Sequence, residues 1–262
     1  MTDSARFSWT VLLPVKVLAR AKSRLTVLAG DRRGDLALAL ASDTVTAVLA
    51  CPEVARVVVV TSDPVAGPRL AALGAIVVED EPADRFPGRL TTLDSAPRAS
   101  AAGSGADGDS GVQDLLNAAL RHGAAVAARR WPGTGLAALT ADLPAVTPAE
   151  LSAALRAIGT APGADASAPG VDGTAAAGAA FVPDAAGVGT TLYAVPPGGK
   201  FLPLFGGASR ARHAAAGAWE LALPALNGLR RDVDTPDDLR EAVALGVGRF
   251  TRAVVADLFT DV

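Results

Sequence analysis

Arg56-Val57-Val58-Val59-Val60-Thr61 is a β-branched run closed by Pro52 on one side and by Ser62-Asp63-Pro64 on the other. Consecutive valines leave no polar face. The segment therefore reads as a strand buried on both sides, as in parallel sheets covered by helices. Upstream, Gly34 to Ala50 carries Leu36, Leu40, Val45 and Leu49 at helical spacing. Before it, Trp9 to Val15 is another short apolar run ending in a loop. Downstream, Pro68 to Leu73 predicts a short helix and Ala75 to Val78 another strand. Strand and helix alternate, which predicts βαβ units with right-handed crossovers and a mainly parallel sheet.

The second half continues the alternation. Val112 to Arg130 predicts a helix whose face is marked by Val112, Leu115, Leu116, Ala119 and Leu120, and Gly135 to Thr140 predicts a strand. Thr147 to Ile158 opens with a T-x-x-E capping box and a proline at the first helical position. Ala179 to Val182 and Thr191 to Val195 predict a small antiparallel annex. Arg231 to Leu239 should close a strand and start a helix. Two stretches, 95–111 and 159–178, are rich in Gly, Ala, Ser and Pro and read as flexible segments. The expectation is an α/β fold in a single domain over 1–262.

Composition narrows the chemistry. Half of the 262 residues are hydrophobic but only 4% are aromatic, so the core should be Ala, Val and Leu. A net charge of -3 gives no global field for nucleic acid or an acidic membrane. An anionic ligand must then be held by a local cluster. The single cysteine, Cys51, excludes an internal disulfide and a cysteine-based zinc site, and two histidines are too few for a His-rich one. No apolar run is long enough to span a membrane, and no signal-peptide pattern opens the chain. These features predict a cytoplasmic protein with no nucleic-acid or membrane partner.

Four stretches could carry chemistry. The loop after the first strand, Pro14 to Leu25, crowds Lys16, Arg20, Lys22 and Arg24. In an open parallel sheet, ligands bind at the carboxyl ends of the strands. These cations could hold a triphosphate there, or could form an ordinary solvated loop. Asp142 ends the apolar run of Gly135 to Thr140. It reads as a helix-cap accessory, a turn residue or a metal ligand, although Thr147 suits the cap role better.

In Arg231 to Leu239, helix capping accounts for Thr235 to Asp238. It leaves Asp232 and Asp234 unexplained. On an extended chain these two acids share a face and repel unless water or a cation offsets them. A Mg²⁺ shared with Asp142 is the sharper reading, since carboxylates and phosphate oxygens make a hard-oxygen site. Finally, Phe205-Gly-Gly-Ala-Ser209 leads into a predicted helix from Arg210 to Gly217. Gly206 and Gly207 permit close ligand approach. Free N–H groups at the helix start, with Ser209, Arg210, Arg212 and His213, could bind an anion. The plain alternative is an ordinary helix start capped by Ser209, with His213 structural.

In order, LLPVK…AKSRL, VVVVTSD, D-x-L-N-A-A-L, ADLP, G-T-T-L, FG-x-x-S-x-x-RH and DVDTP-x-DL resemble the 2-phospho-L-lactate / phosphoenolpyruvate guanylyltransferases of coenzyme F-420 biosynthesis. The resemblance runs from Val11 to about Leu245, outside the two low-complexity stretches. It implies a nucleotidyltransferase-type, Rossmann-like three-layer α/β fold. It also implies a GTP site on Pro14, Lys16, Lys22, Arg24 and Asn117, with Lys22 among the catalytic groups beside Asp142 and Asp232. Mg²⁺ would sit on Asp142 and Asp232, with Asp234 in reserve. The phospho-acid would sit on Thr191 (or Thr190), Gly206 and Ser209. The approach to Asn117 departs from the expected glycine-rich pattern, reading Gln113-Asp114-Leu115-Leu116.

The implied reaction joins the phosphate of phosphoenolpyruvate to the α-phosphorus of GTP and releases pyrophosphate. The acceptor could also be 2-phospho-L-lactate or 3-phosphoglycerate. A nucleotidyltransferase using a sugar phosphate or a molybdopterin, and a non-catalytic nucleotide-binding protein, are the competing functions.

Overall fold

The computed structural model describes residues 7–16, 18, 25, 29–80, 107–159 and 178–260. Its strands are β1 (Trp9–Pro14), β2 (Val54–Val60), β3 (Ile76–Val78), β4 (Gly135–Leu139), β5 (Ala180–Pro183), β6 (Thr190–Val195) and β7 (Trp219–Glu220). They form one sheet in the order β3-β2-β1-β4-β6-β5-β7. β1 runs parallel to β2 and β4, and β2 parallel to β3. β6 is antiparallel to both β4 and β5, while β7 pairs parallel with β5. The expected antiparallel β5/β6 pair forms. It extends the main sheet through β4, and β6 alone runs against its neighbours.

The helices are α1 (Arg33–Leu49), α2 (Ala66–Ala71), α3 (Asp107–Arg130), α4 (Pro148–Gly159), α5 (Ser209–Ala215), α6 (Asn227–Arg230), α7 (Pro236–Leu245) and α8 (Arg249–Thr260). Period-two alternation distributes the valine run over both faces. Val57 and Val59 join Val11, Leu13 and Leu139 beneath α1 and α4. Val58 and Val60 join Leu12 and Ala138 beneath α3. Each of these side chains is buried, and each Val and Leu contributes about 1.5–3 kcal/mol relative to exposure. On α3 the contact is backbone-close. A Cβ at Gly123 would lie 2.6 Å from Val60 Cγ2, so this turn of the helix presents glycine to the sheet.

The capping box of α4 forms as expected: Thr147 N–H donates to Glu150 Oε2 at 2.9 Å, and Glu150 N–H to Thr147 Oγ1 at 3.2 Å. α7 opens with a second box between Thr235 and Asp238. Two expectations are corrected. α3 begins at Asp107, so the end of the stretch read as flexible is helical. The strand expected before Thr235 does not form. Asn227–Arg230 is a helical turn, and 231–234 is an extended connection without a ladder partner. Residues 95–106 and 160–177 of the two low-complexity stretches lie outside the described residues.

A third apolar cluster holds this connection. Val233 packs with Leu36 and Leu40 of α1, Leu239 and Ala242 of α7, and Val255 of α8. α8 is tied to α1 directly, since the Asp43 carboxylate accepts from the backbone N–H groups of Phe250 (3.0 Å) and Thr251 (2.8 Å).

Candidate functional site

A cavity of about 640 Å³ opens at the carboxyl ends of β1 and β4. This is where an open α/β sheet places its ligands. Pro14 and Lys16 border it at the end of β1, with Lys16 exposed. Thr140 and Asp142 border it at the end of β4. Gln113, Leu116 and Leu120 of α3 form one wall. Thr190, Gly206 and Ser209 form another, and Asp232 and Asp234 a third.

The tip of β4 is braced from several sides. Thr140 N–H donates to the Thr191 carbonyl at 3.0 Å. Leu143 N–H donates to Thr44 Oγ1 of α1 at 3.0 Å. Val233 N–H donates to the Asp142 carbonyl at 3.1 Å. Because Val233 is buried, Asp232 and Asp234 alternate to the other side of the chain, toward the cavity. Asp142 and Asp232 are half-buried and Asp234 is exposed.

Sequence spacing thus gathered three acids around one space. Among the described residues, no cluster of three or more acidic, His or Cys side chains is assembled for a metal. A Mg²⁺ site does not require one, because that ion keeps waters and takes phosphate oxygens alongside one or two carboxylates. The hard-oxygen donors fit it, and Thr140 Oγ1 is a further buried oxygen at this wall with no hydrogen-bond partner.

Of the basic loop, Lys16 reaches the cavity, while Arg20, Lys22 and Arg24 lie outside the described residues. The loop is anchored by a residue that sequence reading passed over. The Asp63 carboxylate, after β2, accepts N–H bonds from Leu18, Val65 and Ala66, each at 2.8 Å. Burial alone would raise its pKa, but the donated bonds from Ala66, Leu18 and Val65 outweigh it and hold the group below the ordinary carboxylate value. The Ser62-Asp63-Pro64 turn was visible as a strand boundary; its anchoring role needed the fold.

Asn117 does not border the cavity. Its amide pairs with the backbone of Phe205, accepting from Phe205 N–H at 2.8 Å and donating to Phe205 O at 3.1 Å. It clamps the loop that carries Gly206. Gly206 has φ +98°, and a Cβ there would overlap the Gln113 side chain. This is a position where only glycine combines the conformation with the contact.

The anion-binding reading of the α5 start is also corrected. Ser209 N–H donates to Gly207 O at 2.8 Å and Arg210 N–H to Val188 O at 3.2 Å, so two first-turn donors are already engaged. Ser209 provides no side-chain cap. Arg210 is bidentate to Glu220, at 2.9 Å for both bonds. Arg212 reaches Phe205 O at 3.3 Å and Gly206 O. What faces the cavity here is the side of Ser209, Gly206 and Thr190. Thr191 is fully buried with its hydroxyl toward Val182 O, so Thr190 is the threonine at the cavity wall. A shift of register between Val182 and Pro183 turns this end of β6.

No protein-family model matches the chain. Curated relatives do, among them the following two. The phosphoenolpyruvate guanylyltransferase of Thermomonospora curvata is 50% identical over 257 residues, covering 97% of this chain and 92% of the relative. That of Streptomyces coelicolor is 50% identical over 251 residues, covering 95% and 97%. Among solved structures, a Desulfovibrio desulfuricans protein assigned as a nucleotide-diphospho-sugar transferase superposes with a TM-score of 0.52 at 14% identity. It covers 91% of this chain and 96% of its own, a likeness of fold. The mixed α/β sheet shares that fold.

Proposed function

This chain belongs to the phosphoenolpyruvate guanylyltransferase family, and on that premise we propose that it transfers GMP from GTP to phosphoenolpyruvate in the cavity at the β1 and β4 tips. The observation that carries the reading is the meeting, around one space, of Asp142 with Asp232 and Asp234, of Lys16, and of Thr190 with Gly206 and Ser209. Acids, a cation and hydroxyls on separate walls match a metal-nucleotide on one side and a small anionic acceptor on the other.

A phosphate oxygen of phosphoenolpyruvate attacks the α-phosphorus of GTP. The bond from that phosphorus to the β-phosphate oxygen breaks, and pyrophosphate leaves. The product is enolpyruvyl-diphospho-5'-guanosine, as in coenzyme F-420 biosynthesis. The attacking phosphate is ionised at neutral pH, so no general base is needed. The protein supplies position and charge complementarity. Asp142 and Asp232 would hold Mg²⁺, with Asp234 as the more solvated neighbour, and the ion would supply neutralisation of triphosphate charge. Lys16, with Lys22 and Arg24 of the same loop, would contact the nucleotide phosphates beside Pro14. Thr190 or Thr191, Gly206 and Ser209 would seat the phospho-acid. Asn117 would act indirectly, by clamping through Phe205 the loop that carries Gly206. The chain would work in the cytoplasm; among the described residues no helix is long and apolar enough to cross a membrane.

The test is pyrophosphate release with Mg²⁺ and GTP, offering phosphoenolpyruvate, 2-phospho-L-lactate and 3-phosphoglycerate separately. Release with phosphoenolpyruvate is expected. Release with either other acid alone would reassign the acceptor. Release only with a sugar phosphate would overturn the reading.

A further inference from the structure

His213 is fully buried in α5, yet both ring nitrogens have polar partners. Leu204 N–H donates to Nε2 at 3.0 Å. Thr190 Oγ1 lies 3.0 Å from Nδ1. The ring stacks on Tyr193, with centroids 4.7 Å apart and planes at 16°, and packs on Phe181 and edge-on to Phe205.

A backbone N–H can only donate. Nε2 must therefore present its lone pair to Leu204, and the neutral ring carries its proton on Nδ1. With a proton on Nδ1, Thr190 cannot donate to the ring; its oxygen accepts instead. The Thr190 hydroxyl proton is thereby turned away from His213. Thr190 borders the cavity, so the free direction is toward the space where an acceptor substrate would sit.

We propose that His213 is a positioning residue: by holding one tautomer between Leu204 and Thr190, it commits the Thr190 hydroxyl to donate to the anionic acceptor substrate. The proposal rests on reading this wall as the phospho-acid side of the cavity. It answers a shortage of donors there. The Ser209 and Arg210 N–H groups of the first turn of α5, and the Arg210 and Arg212 side chains, are engaged elsewhere. A hydroxyl that could either accept or donate would be a poor anion ligand; one that can only donate is a good one. His213 also joins two parts of the wall, since Leu204 leads into the Phe205–Gly207 turn.

Burial, reinforced by the Arg212 charge on the same helix, pushes the His213 pKa down to about 4. The other groups packed on the ring are Tyr193 from β6, Phe181 from β5 and Phe205 from the loop, none of them charged at neutral pH. The single tautomer is therefore kept across the physiological range.

Two experiments test this with the intact enzyme. Nitrogen-15 NMR of the ring needs only two histidines resolved, His122 and His213. Nδ1 should appear protonated and Nε2 unprotonated from about pH 5.5 to pH 8. An Nε2-protonated or doubly protonated ring would overturn the proposal whether or not the enzyme turns over. Kinetics supply the second arm. Thr190→Val and His213→Leu should each raise KM for phosphoenolpyruvate about tenfold, with KM for GTP nearly unchanged. The double variant should be no worse than Thr190→Val alone, because both remove one interaction. Thr190→Ser and His213→Asn, which retain the hydroxyl and a donor near Nδ1, should recover most of the loss. Additive effects, or an unchanged KM in Thr190→Val, would sink the proposal. Failure of the wild type with phosphoenolpyruvate would instead sink the reading of the site, leaving the tautomer result standing.

Discussion

The backbone N–H of Val233 donates to the carbonyl of Asp142 across 3.1 Å. This one bond ties a connection near the end of the chain to the tip of a central strand. Val233 faces the cluster of α1, α7 and α8, which leaves its neighbours Asp232 and Asp234 on the cavity side. The backbone around buried Val233 sets where these acids lie, so Asn, which keeps their shape, should alter their charge without dismantling the fold.

Asp142→Asn and Asp232→Asn should therefore each lower kcat on the order of a hundredfold or more while the Tm moves by only a few degrees. Asn keeps the shape and loses the charge. Asp234→Asn, at an exposed position, should cost less than about tenfold. Steady-state pyrophosphate release on the three variants, alongside thermal melts, checks the ranking. Near-normal turnover in Asp142→Asn would remove that residue from the site.

Gly206→Ala should lower kcat/KM for phosphoenolpyruvate by about tenfold or more, for two separable reasons. Positive φ costs an L-residue roughly 1–2 kcal/mol, and the new Cβ meets Gln113. Gln113→Ala in the same chain removes the clash but not the φ penalty. The pair should be better than Gly206→Ala alone and still below wild type. Full recovery would mean the backbone conformation is dispensable; no recovery would mean that Gln113 does not limit the turn.

Asp63→Asn should raise KM for GTP several-fold and cost about 1–3 kcal/mol of stability, since one amide oxygen cannot replace a carboxylate accepting from Leu18, Val65 and Ala66. The pH sign follows from the lowered folded pKa. The stabilisation is fully present above the ordinary value of 3.8 and is lost as pH falls through the lower folded value. Urea titrations at about pH 6 and about pH 3 should show the wild-type advantage shrink at the acid end. An advantage that persists there would assign it to packing.

How far the sequence carried these assignments depends on the range of the interactions. The valine run over Arg56 to Thr61 and the Thr147/Glu150 box are local patterns, and both formed where expected. Asp142, Asp232 and Asp234 were legible because strand alternation and helix capping left them unexplained. Asn117 was drawn to the nucleotide by resemblance, but its amide is engaged by Phe205, a partner distant in sequence that no local spacing reveals. Arg210 and Arg212 looked available as cations for the same reason, and Glu220 and the Phe205–Gly206 carbonyls claim them. Asp63 and His213 act by joining loops, and their partners lie on other elements. The choice of Thr190 over Thr191 turned on a shift of strand register, which the letters alone do not carry.

His213 gives the protein a stability profile of its own. In the unfolded chain a histidine titrates near 6.5; in the folded chain this one is held down to about 4 by burial and by Arg212. Between those values the unfolded state binds the proton and the folded state does not, so stability must fall as pH drops from about 6.5 to about 4. Below about 4 both states are protonated at this site and its contribution levels off. The gap between those two values corresponds to about 3 kcal/mol across the window. His213→Asn cannot titrate there. It should be less stable than wild type at pH 7, through lost packing on Tyr193, yet its stability should depend less steeply on pH across this window. Subtracting the two urea-derived profiles removes the carboxylates common to both chains. A difference that changes with pH between about 4 and 6.5 and is flat above it is the expected result. A difference that is constant throughout would mean that the ring is already solvated or charged in the folded protein, and that it holds no fixed tautomer against Thr190.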